Sequence, residues 1–454
     1  MMKGSYLPEN IPWGPVGYIT YKRTYARPLN NLQTEEWEDT VNRVIESART
    51  QLNVGFTPTQ EAEFKDIMMN LKGTVAGRFL WQMGTKTVDR LGLPSLQNCA
   101  FVTVDHPVRP FTWAFELLML GAGVGFNIQR EHVYQIPKVL KKVKVTRKDV
   151  NDADFIVPDS REGWVELLKR TLEASFYTGE NFTYACHLIR SKGSPIKGFG
   201  GVASGPQDLV WGITTINDIL NSRAGKRLRS IDCLDIMNII GRVVVAGNVR
   251  RSAQIALGDY DDIEFLRAKR WDLGNIPNWR AMSNNSVVCD NISKLPEEFW
   301  EGYKGNGEPY GLINLDSSRK MGRTGETQYP DPDVQGYNPC AEQSLANNET
   351  CCLAEVYLPN ITSKEELKKV VTYLYRINKH SLAIKCSIKE TESIVHKNMR
   401  MGIGVTGYLQ ATDEQRSWLS DVYVYLREYD KEYSKIHGFP TSIKLTTVNG
   451  GIIQ

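Results

Sequence analysis

The segment NPCAEQSLANNETCCLAEV, residues 338–356, carries a carboxamide, a thiol and a carboxylate at alternate positions, Asn338, Cys340 and Glu342. In an extended loop, alternate residues project to the same side, so this spacing predicts one face that holds all three groups. Pro339 restricts the backbone between them, which suits a site that needs precise placement. The segment therefore predicts a catalytic loop centred on a cysteine.

Two kinds of chemistry suit such a loop: nucleophilic catalysis by a thiolate, and a radical centred on the cysteine sulfur. A thiolate hydrolase needs an imidazole to deprotonate the thiol. None of the six histidines lies in a recognisable partner motif, which disfavours that class. The eight cysteines include no CxxC pair and no Cys/His cluster at zinc spacing, so we predict no metal bound by this chain.

The pattern of apolar residues changes once along the chain, which predicts two regions, 1–95 and 96–454. Residues 1–30 are rich in Pro, Gly and aromatics and predict an extended lead-in. Helices are predicted from about Thr34, taken as the N-cap, and over 60–71, so the first region is mainly helical. Beyond it, short apolar runs alternate with helical stretches, which predicts an α/β layer or barrel.

The composition excludes several broad classes of protein. Its 55 basic and 52 acidic residues give a net charge of +3, too balanced for a nucleic-acid-binding track. No run of 18 or more apolar residues and no signal peptide are evident in the sequence, so we expect no membrane partner and a cytoplasmic protein. A nucleotide-sized anion remains a possible ligand.

The segment at 338–342 resembles the Asn-Pro-Cys-x-Glu finger loop of ribonucleotide reductases, and Glu-Thr-Cys at 349–351 resembles the adenosylcobalamin-dependent, class II form. Further segments match that family in the expected order: 21–27, 97–102, 121–126, 193–197, 250–259, 283–288 and 402–407. The resemblance implies a ten-stranded α/β barrel with the finger loop near 338–342 at its centre, and a catalytic chain that reduces ribonucleotides to deoxyribonucleotides.

The resemblance also implies a role for each residue of the motif. Cys340 matches the cysteine that becomes a thiyl radical, Glu342 the general base and Asn338 the amide that binds the ribose hydroxyls. Cys99 and Cys351 match the dithiol that ends as a disulfide. Cys352, which strand alternation points to the opposite face, is expected to be a packing residue.

Two more segments acquire roles by the same resemblance. The loop that carries effector information to the substrate matches Gly247, Arg250, Arg251 and Ser252, so a deoxynucleotide or ATP effector is implied. Thr446 and Thr447 match the start of the substrate-phosphate loop, but Asn449, Gly450 and Gly451 depart from that family's pattern. The last barrel strand of the family is expected to be missing.

The sequence is compatible with two radical sources. The form of its motifs favours adenosylcobalamin, and the alternative is a radical supplied by a separate metal-containing small subunit. The sequence shows no cysteine pair near residue 454, so an external thioredoxin-like reductant is expected; a homodimer is also possible. A competing hypothesis is a non-catalytic nucleotide-binding remnant of a split or truncated reductase, although such a remnant need not keep all five site residues together.

Overall fold

The computed structural model describes residues 11–29, 33–196, 202–246, 253–304, 309–320 and 330–445. Its α-helices, in chain order, are α1 (Pro15–Thr24), α2 (Trp37–Thr50), α3 (Pro58–Met69), α4 (Gly77–Gln82), α5 (Lys86–Leu91), α6 (Arg109–Met119), α7 (Arg130–Val133), α8 (Arg161–Glu173), α9 (Gln207–Ser222), α10 (Ser230–Val245), α11 (Ile263–Arg267), α12 (Glu297–Tyr303), α13 (Leu315–Lys320), α14 (Lys364–Ala383), α15 (Lys389–Asn398) and α16 (Asp413–His437).

The strands in the same ranges are β1 (Gly73–Val75), β2 (Cys99–Thr103), β3 (Gly123–Asn127), β4 (Val145–Arg147), β5 (Phe155–Ile156), β6 (Phe182–Ala185), β7 (Gln254–Asp259), β8 (Ser283–Val288), β9 (Gly311–Ile313), β10 (Val334–Tyr337), β11 (Ser344–Ala346), β12 (Glu349–Tyr357) and β13 (Met401–Thr406). Packing divides the chain into two units, Met1–Asn98 with Thr350–Gln454, and Cys99–Glu349. None of the helices in the described ranges is long and apolar enough to cross a membrane.

The first unit combines helices from both ends of the chain with a small sheet. Strand β12 pairs antiparallel with β1 and parallel with β13. Its residues Cys352, Ala354 and Val356 lie in a helical core with α14, whose N-terminus is capped by Ser363. The capping serine and the apolar face of α14 are readable in the sequence, because a side-chain acceptor precedes residues at helical spacing.

The structure corrects two expectations at the N-terminus. Residues 15–24, predicted as part of an extended lead-in, form α1, with Pro15 in the first turn, where proline is tolerated. The next helix begins at Trp37 rather than near Thr34, because Glu36 and Asp39 form a reciprocal capping box, while Thr34 bridges to Pro28. The mainly helical character of this region is as predicted.

The second unit is built on five parallel strands in the order β2-β3-β7-β8-β9. Parallel neighbours need crossover connections, and helices such as α6 and α10 supply them. A separate parallel sheet, β4-β6-β5, is inserted between β3 and β7 with α8. The predicted alternation of strands and helices therefore produces a layered α/β unit with one inserted subdomain.

A hairpin of β10 and β11 lies against the parallel sheet and ends in the loop at 338–343. Gly125 of β3 makes this approach possible: a Cβ there would lie 1.9 Å from the carbonyl oxygen of Tyr337. Two residues further along β3, the side-chain amide of Asn127 donates a hydrogen bond to the Gln335 carbonyl at 3.1 Å. These two contacts hold the hairpin against β3 and so fix the position of its loop relative to the sheet.

Replacing Gly125 by alanine is expected to destabilise the protein by roughly 3 kcal/mol, because the new methyl group meets backbone that cannot rotate away. Urea unfolding measures this, and Gly14→Ala is the control, since nothing lies within 4 Å of a Cβ at Gly14. The control is expected to cost under about 1 kcal/mol. Equal stability of Gly125→Ala and the unsubstituted chain would contradict the proposed tight approach.

Candidate active site

The loop at 338–343 is a tight turn, not the extended segment expected from its sequence. Ala341 has a φ of 59°, in the left-handed region, and its N–H donates to the Asn338 carbonyl at 2.9 Å. The backbone N–H of Asn338 donates to the Gln343 carbonyl at 3.1 Å, and the Gln343 N–H donates to Asn338 Oδ1 at 3.0 Å. The turn brings the predicted side chains together by reversing the chain rather than by alternation.

Asn338 and Glu342 form the buried half of this turn. Asn338 Nδ2 donates to Glu342 Oε1 at 2.6 Å, and both residues are almost fully buried. The second carboxylate oxygen, Glu342 Oε2, is buried with no hydrogen-bond partner among the described residues. A buried acceptor of that kind costs free energy unless a donor reaches it, so Oε2 is suited to accept a ligand hydroxyl.

The electrostatics of the turn keep both acidic groups protonated to higher pH than usual. Partial burial, helped by the neighbouring Glu342 carboxylate and the Cys99 thiol, raises the pKa of the Cys340 thiol to about 12. Burial also raises the pKa of Glu342, against the hydrogen bond from Asn338. Cys340, although exposed as a residue, is therefore held as a thiol rather than as a nucleophilic thiolate.

Cys99 starts strand β2 and is buried. Its register partner on β3 is Gly123, and a Cβ at Gly123 would lie 2.8 Å from the ring of Pro339. The structure therefore places Cys99 at the end of the sheet where the turn lies, within the electrostatic reach of Cys340. Asn338, Cys340, Glu342 and Cys99 thus lie within one unit of the structure.

Cys351 and Cys352 are neighbours on β12 and point to opposite faces. Cys352 is fully buried in the helical core, with its Sγ 3.3 Å from Ser381 Oγ, and burial raises the pKa of its thiol to about 12. The carbonyl of Cys351 accepts a hydrogen bond from the Asn98 N–H at 3.3 Å, within the first unit.

Several predicted site residues lie outside the described residues. These are the effector-loop residues Gly247, Arg250, Arg251 and Ser252, and the phosphate-loop residues Thr446 and Thr447. Up to Leu445 the chain runs beside β13, where the N–H of Ile403 donates to the Leu445 carbonyl at 3.0 Å.

A cavity of about 120 Å³ in the second unit was not anticipated from the sequence. Arg161 and Trp164 of α8 line it, together with Val243 and Val244 of α10 and residues that flank 197–201. The guanidinium of Arg161 reaches Glu116 and Glu162 through Nη2, while its buried Nε and Nη1 atoms have no partner among the described residues. Ser160 at the mouth of this cavity caps α8, and the other walls come from segments that are distant in the sequence.

Known protein families match three parts of the chain. Three family models match the chain: "Ribonucleotide reductase alpha domain" at residues 5–85, "B12-dependent ribonucleotide reductase, insertion domain" at 133–220 and "Ribonucleotide reductase, barrel domain" at 281–452. The middle match covers β4, β5, β6 and α8, so the inserted subdomain found in the structure has a counterpart in that family.

Similar full-length proteins are adenosylcobalamin-dependent ribonucleoside-triphosphate reductases. Those of Lactobacillus acidophilus and Lactobacillus leichmannii are each 35% identical to the chain, over 96% of the chain and 71% of the relative. A probable enzyme of the same name from Dictyostelium discoideum is 33% identical, over 96% of the chain and 62% of the relative.

A solved structure gives the same result at the level of the fold. The crystal structure of a B-12 dependent, class II ribonucleotide reductase superposes with a TM-score of 0.82 at 30% identity, covering 96% of this chain and 73% of that one. The α/β barrel architecture and the helical N-terminal region expected from the sequence are thereby confirmed. With the family's finger-loop residues gathered at one end of its parallel sheet, the chain belongs to the ribonucleotide reductases, as a catalytic chain of that family.

Proposed function

We propose that the chain reduces ribonucleoside triphosphates with adenosylcobalamin as radical source, through a thiyl radical on Cys340. The observation that carries the proposal is the turn at 338–343, where a thiol of raised pKa lies beside the buried Glu342 carboxylate. Both the cofactor and the triphosphate substrate are in the names of the similar proteins. The non-catalytic alternative has no comparable observation in its favour.

The state of Cys340 fits this cofactor. Adenosylcobalamin, when bound, would supply the radical chemistry by which Cys340 loses the hydrogen atom of its thiol. The thiol must then be protonated and accessible, and Cys340 is both: its pKa is about 12 and the residue is exposed. A thiolate would carry no hydrogen atom to lose.

The remaining steps use groups of this chain. The Cys340 thiyl takes the hydrogen from C3′ of the ribose while Glu342 Oε2 accepts the proton of the 3′-hydroxyl, with Asn338 holding that carboxylate in place. The 2′-hydroxyl leaves as water with a proton from a thiol. Cys99 and Cys351 supply two electrons and two protons, one proton to the leaving water and one to C2′, and become a disulfide. Glu342 returns its proton to the 3′-oxygen, and Cys340 returns its hydrogen to C3′.

The two neighbouring cysteines of β12 give a matched pair of variants. Cys351→Ser is expected to abolish multiple turnover with a dithiol, because the disulfide cannot form. Cys352→Ser is expected to keep turnover and to lose about 1 kcal/mol of stability, since its hydroxyl can still contact Ser381. Deoxynucleotide yield per chain measures the difference, and equal loss in both variants would contradict the assignment of Cys351.

The Arg161 cavity is proposed as the site of a deoxynucleotide or ATP effector. Buried guanidinium nitrogens suit phosphate oxygens, and Trp164 offers a surface on which a base can stack. Whole-ligand pockets usually span about 300–1,000 Å³, so this half-open cavity of about 120 Å³ holds only part of a nucleotide.

Arg161→Lys is expected to weaken effector binding about tenfold, because lysine keeps the charge that pairs with Glu116 but lacks the planar fork. Equilibrium titration with a deoxynucleoside triphosphate measures it. Arg170→Lys on the same helix is the control, since Arg170 is partly exposed and stacks on Phe155 outside the cavity. An equal shift in the two variants would argue against this site.

The radical source is tested by adding adenosylcobalamin, a ribonucleoside triphosphate and a dithiol to the purified chain. Deoxynucleotide formed without another protein supports the proposal. Product that requires a separate metal-containing subunit would overturn the cofactor assignment, and nucleotide binding without product under either condition would favour the non-catalytic alternative. Replacing the dithiol by a thioredoxin-like protein tests the proposed natural reductant, and sedimentation with and without effector tests the homodimer.

A further inference from the structure

Three side chains of the turn at 338–343 carry an oxygen, and two of them are bonded within the turn itself. Asn338 Nδ2 donates to Glu342 Oε1 at 2.6 Å, and Asn338 Oδ1 accepts the Gln343 N–H at 3.0 Å. Both ends of the Asn338 carboxamide therefore hold the turn closed. The third side chain differs, because Gln343 Oε1 has no hydrogen-bond partner among the described residues.

Gln343 is buried as completely as its two neighbours in the turn. The residue is 1% exposed, so bulk water does not reach its carboxamide oxygen. A buried acceptor without a donor is destabilising, and native proteins keep such a group mainly where a ligand or an ordered water meets it. Gln343 Oε1 is thus prepared for a donor that the described part of the chain does not supply.

The backbone of Gln343 is fixed on both sides. Its carbonyl accepts the Asn338 N–H at 3.1 Å, and the next residue, Ser344, begins β11. The Gln343 side chain therefore starts from a position that bonds directly to Asn338, in a hairpin that is held against β3. Its carboxamide belongs to the immediate surroundings of the turn, next in sequence to the proposed general base Glu342.

Glu342 and Gln343 are adjacent acceptors of different chemistry. A carboxylate can take a proton, whereas the oxygen of a neutral carboxamide only accepts a hydrogen bond. A ribose presents two neighbouring hydroxyls, and the proposed reaction deprotonates the one at C3′. The acceptor that cannot take a proton therefore suits the other hydroxyl, at C2′.

We propose that Gln343 is a specificity-determining residue, whose Oε1 accepts a hydrogen bond from the 2′-hydroxyl of the ribonucleotide. The inference rests on the proposed function and adds a substrate contact to it. The deoxynucleotide product has no 2′-hydroxyl, so it leaves this buried oxygen unpaired again. A site built to bond a substrate hydroxyl rejects the analogue without it for that reason. Gln343 therefore favours binding of the substrate and release of the product.

The test measures binding alone, on the full chain without a radical source. A labelled ribonucleoside triphosphate is displaced by its unlabelled form and by its 2′-deoxy and 3′-deoxy counterparts. An excess of a deoxynucleoside triphosphate with a different base fills the proposed effector cavity throughout, and it cancels from the ratio of two dissociation constants. For the unsubstituted chain we expect the 2′-deoxy form to bind about tenfold more weakly than the ribonucleotide.

Gln343→Met removes the acceptor at similar side-chain volume. It is expected to bring the ratio of the 2′-deoxy to the ribonucleotide dissociation constant close to 1, mainly by weakening the ribonucleotide. The ratio for the 3′-deoxy form is expected to stay unchanged, because that ligand keeps its 2′-hydroxyl and loses the same contact. Gln343→Glu keeps an acceptor oxygen and is expected to retain most of the preference for the ribonucleotide.

Gln254→Met is the matched control. Gln254 lies in the same unit, is equally buried, and its Oε1 also has no partner among the described residues. Its Nε2, however, donates to the Met237 carbonyl of α10 at 2.9 Å, so this carboxamide is directed at a helix and not at the turn. The control is expected to leave both ratios unchanged.

Four results would overturn the inference: a 2′-deoxy ratio near 1 in the unsubstituted chain, an unchanged ratio in Gln343→Met, a shift in the 3′-deoxy ratio instead, or an equal effect of Gln254→Met. The first two would assign Gln343 Oε1 to an ordered water, and the third would place it at the other hydroxyl. Absence of any ribonucleotide binding by the unsubstituted chain would instead refute the proposed function.

Discussion

Cys340→Ser is expected to bind nucleotides with unchanged affinity and to form no deoxynucleotide. A serine hydroxyl gives up a hydrogen atom far less readily than a thiol, so the variant cannot generate the radical that starts the reaction. The substitution replaces one sulfur atom by oxygen and changes the side-chain volume little. Because the residue is also exposed, the fold is expected to be unchanged. Product analysis by chromatography measures turnover, and equilibrium titration measures binding.

Cys386→Ser is the appropriate control for this variant. Cys386 is partly exposed, and its Sγ lies 3.2 Å from the Ile388 carbonyl, a contact that a serine hydroxyl can also make. It is expected to retain full activity. Measurable turnover by Cys340→Ser would show that some other group removes the hydrogen at C3′. That result would contradict the proposed function of the turn.

Glu342→Gln is expected to lower kcat by about 10²–10⁴, the usual contribution of a general base. Glutamine keeps the acceptor for Asn338 Nδ2 but cannot take the proton of a hydroxyl. In the unsubstituted enzyme the carboxyl must be ionised to act as base, and its pKa is raised by burial. Activity is therefore expected to fall as pH drops through that raised pKa. The pH–activity profile of the variant is expected to lack this fall.

The same raised pKa has a consequence for stability. A carboxyl whose pKa is higher in the folded state contributes stability at low pH and loses it as pH rises through the folded-state pKa. Above the folded-state pKa the ionised Glu342 therefore costs stability, and in that pH range Glu342→Gln is expected to unfold at a higher temperature. Glu46→Gln, which alters an exposed ion pair, is expected to change stability by less than about 0.5 kcal/mol. Lower stability of Glu342→Gln would contradict the pKa argument.

The sequence was sufficient for the class of the fold. The roles assigned to the site residues stay predictions, although the structure places Asn338, Cys340, Glu342 and Cys99 in one unit. The finger-loop motif gathers its chemistry into five residues, so one local segment and Cys99 describe most of the site. Strand alternation also separated Cys352, which lies in the helical core, from Cys351. The separation of Cys352 from Cys351 depends on local spacing, which a single sequence displays directly. Cys99 and the residue roles follow instead from the resemblance to the family.

The geometry of the turn was not predictable in the same way. A left-handed alanine at 341 carries no sequence signal, because glycine or asparagine is the usual residue there. Helix α1 was missed because Pro15 and Gly17 favour a loop when read locally, whereas tertiary packing of Tyr21 overrides that preference. The cavity could not be predicted from the sequence, because its walls come from α6, α8, α10 and two loops that are distant along the chain.

The high pKa of Cys340 also governs how the enzyme survives between turnovers. Alkylating agents and peroxides attack thiolates, and a thiol with a pKa of about 12 offers almost none at neutral pH. The one cysteine that is exposed in the described structure is thus also poorly reactive toward electrophiles. The burial and the carboxylate that keep this sulfur protonated therefore also protect it from electrophiles at neutral pH.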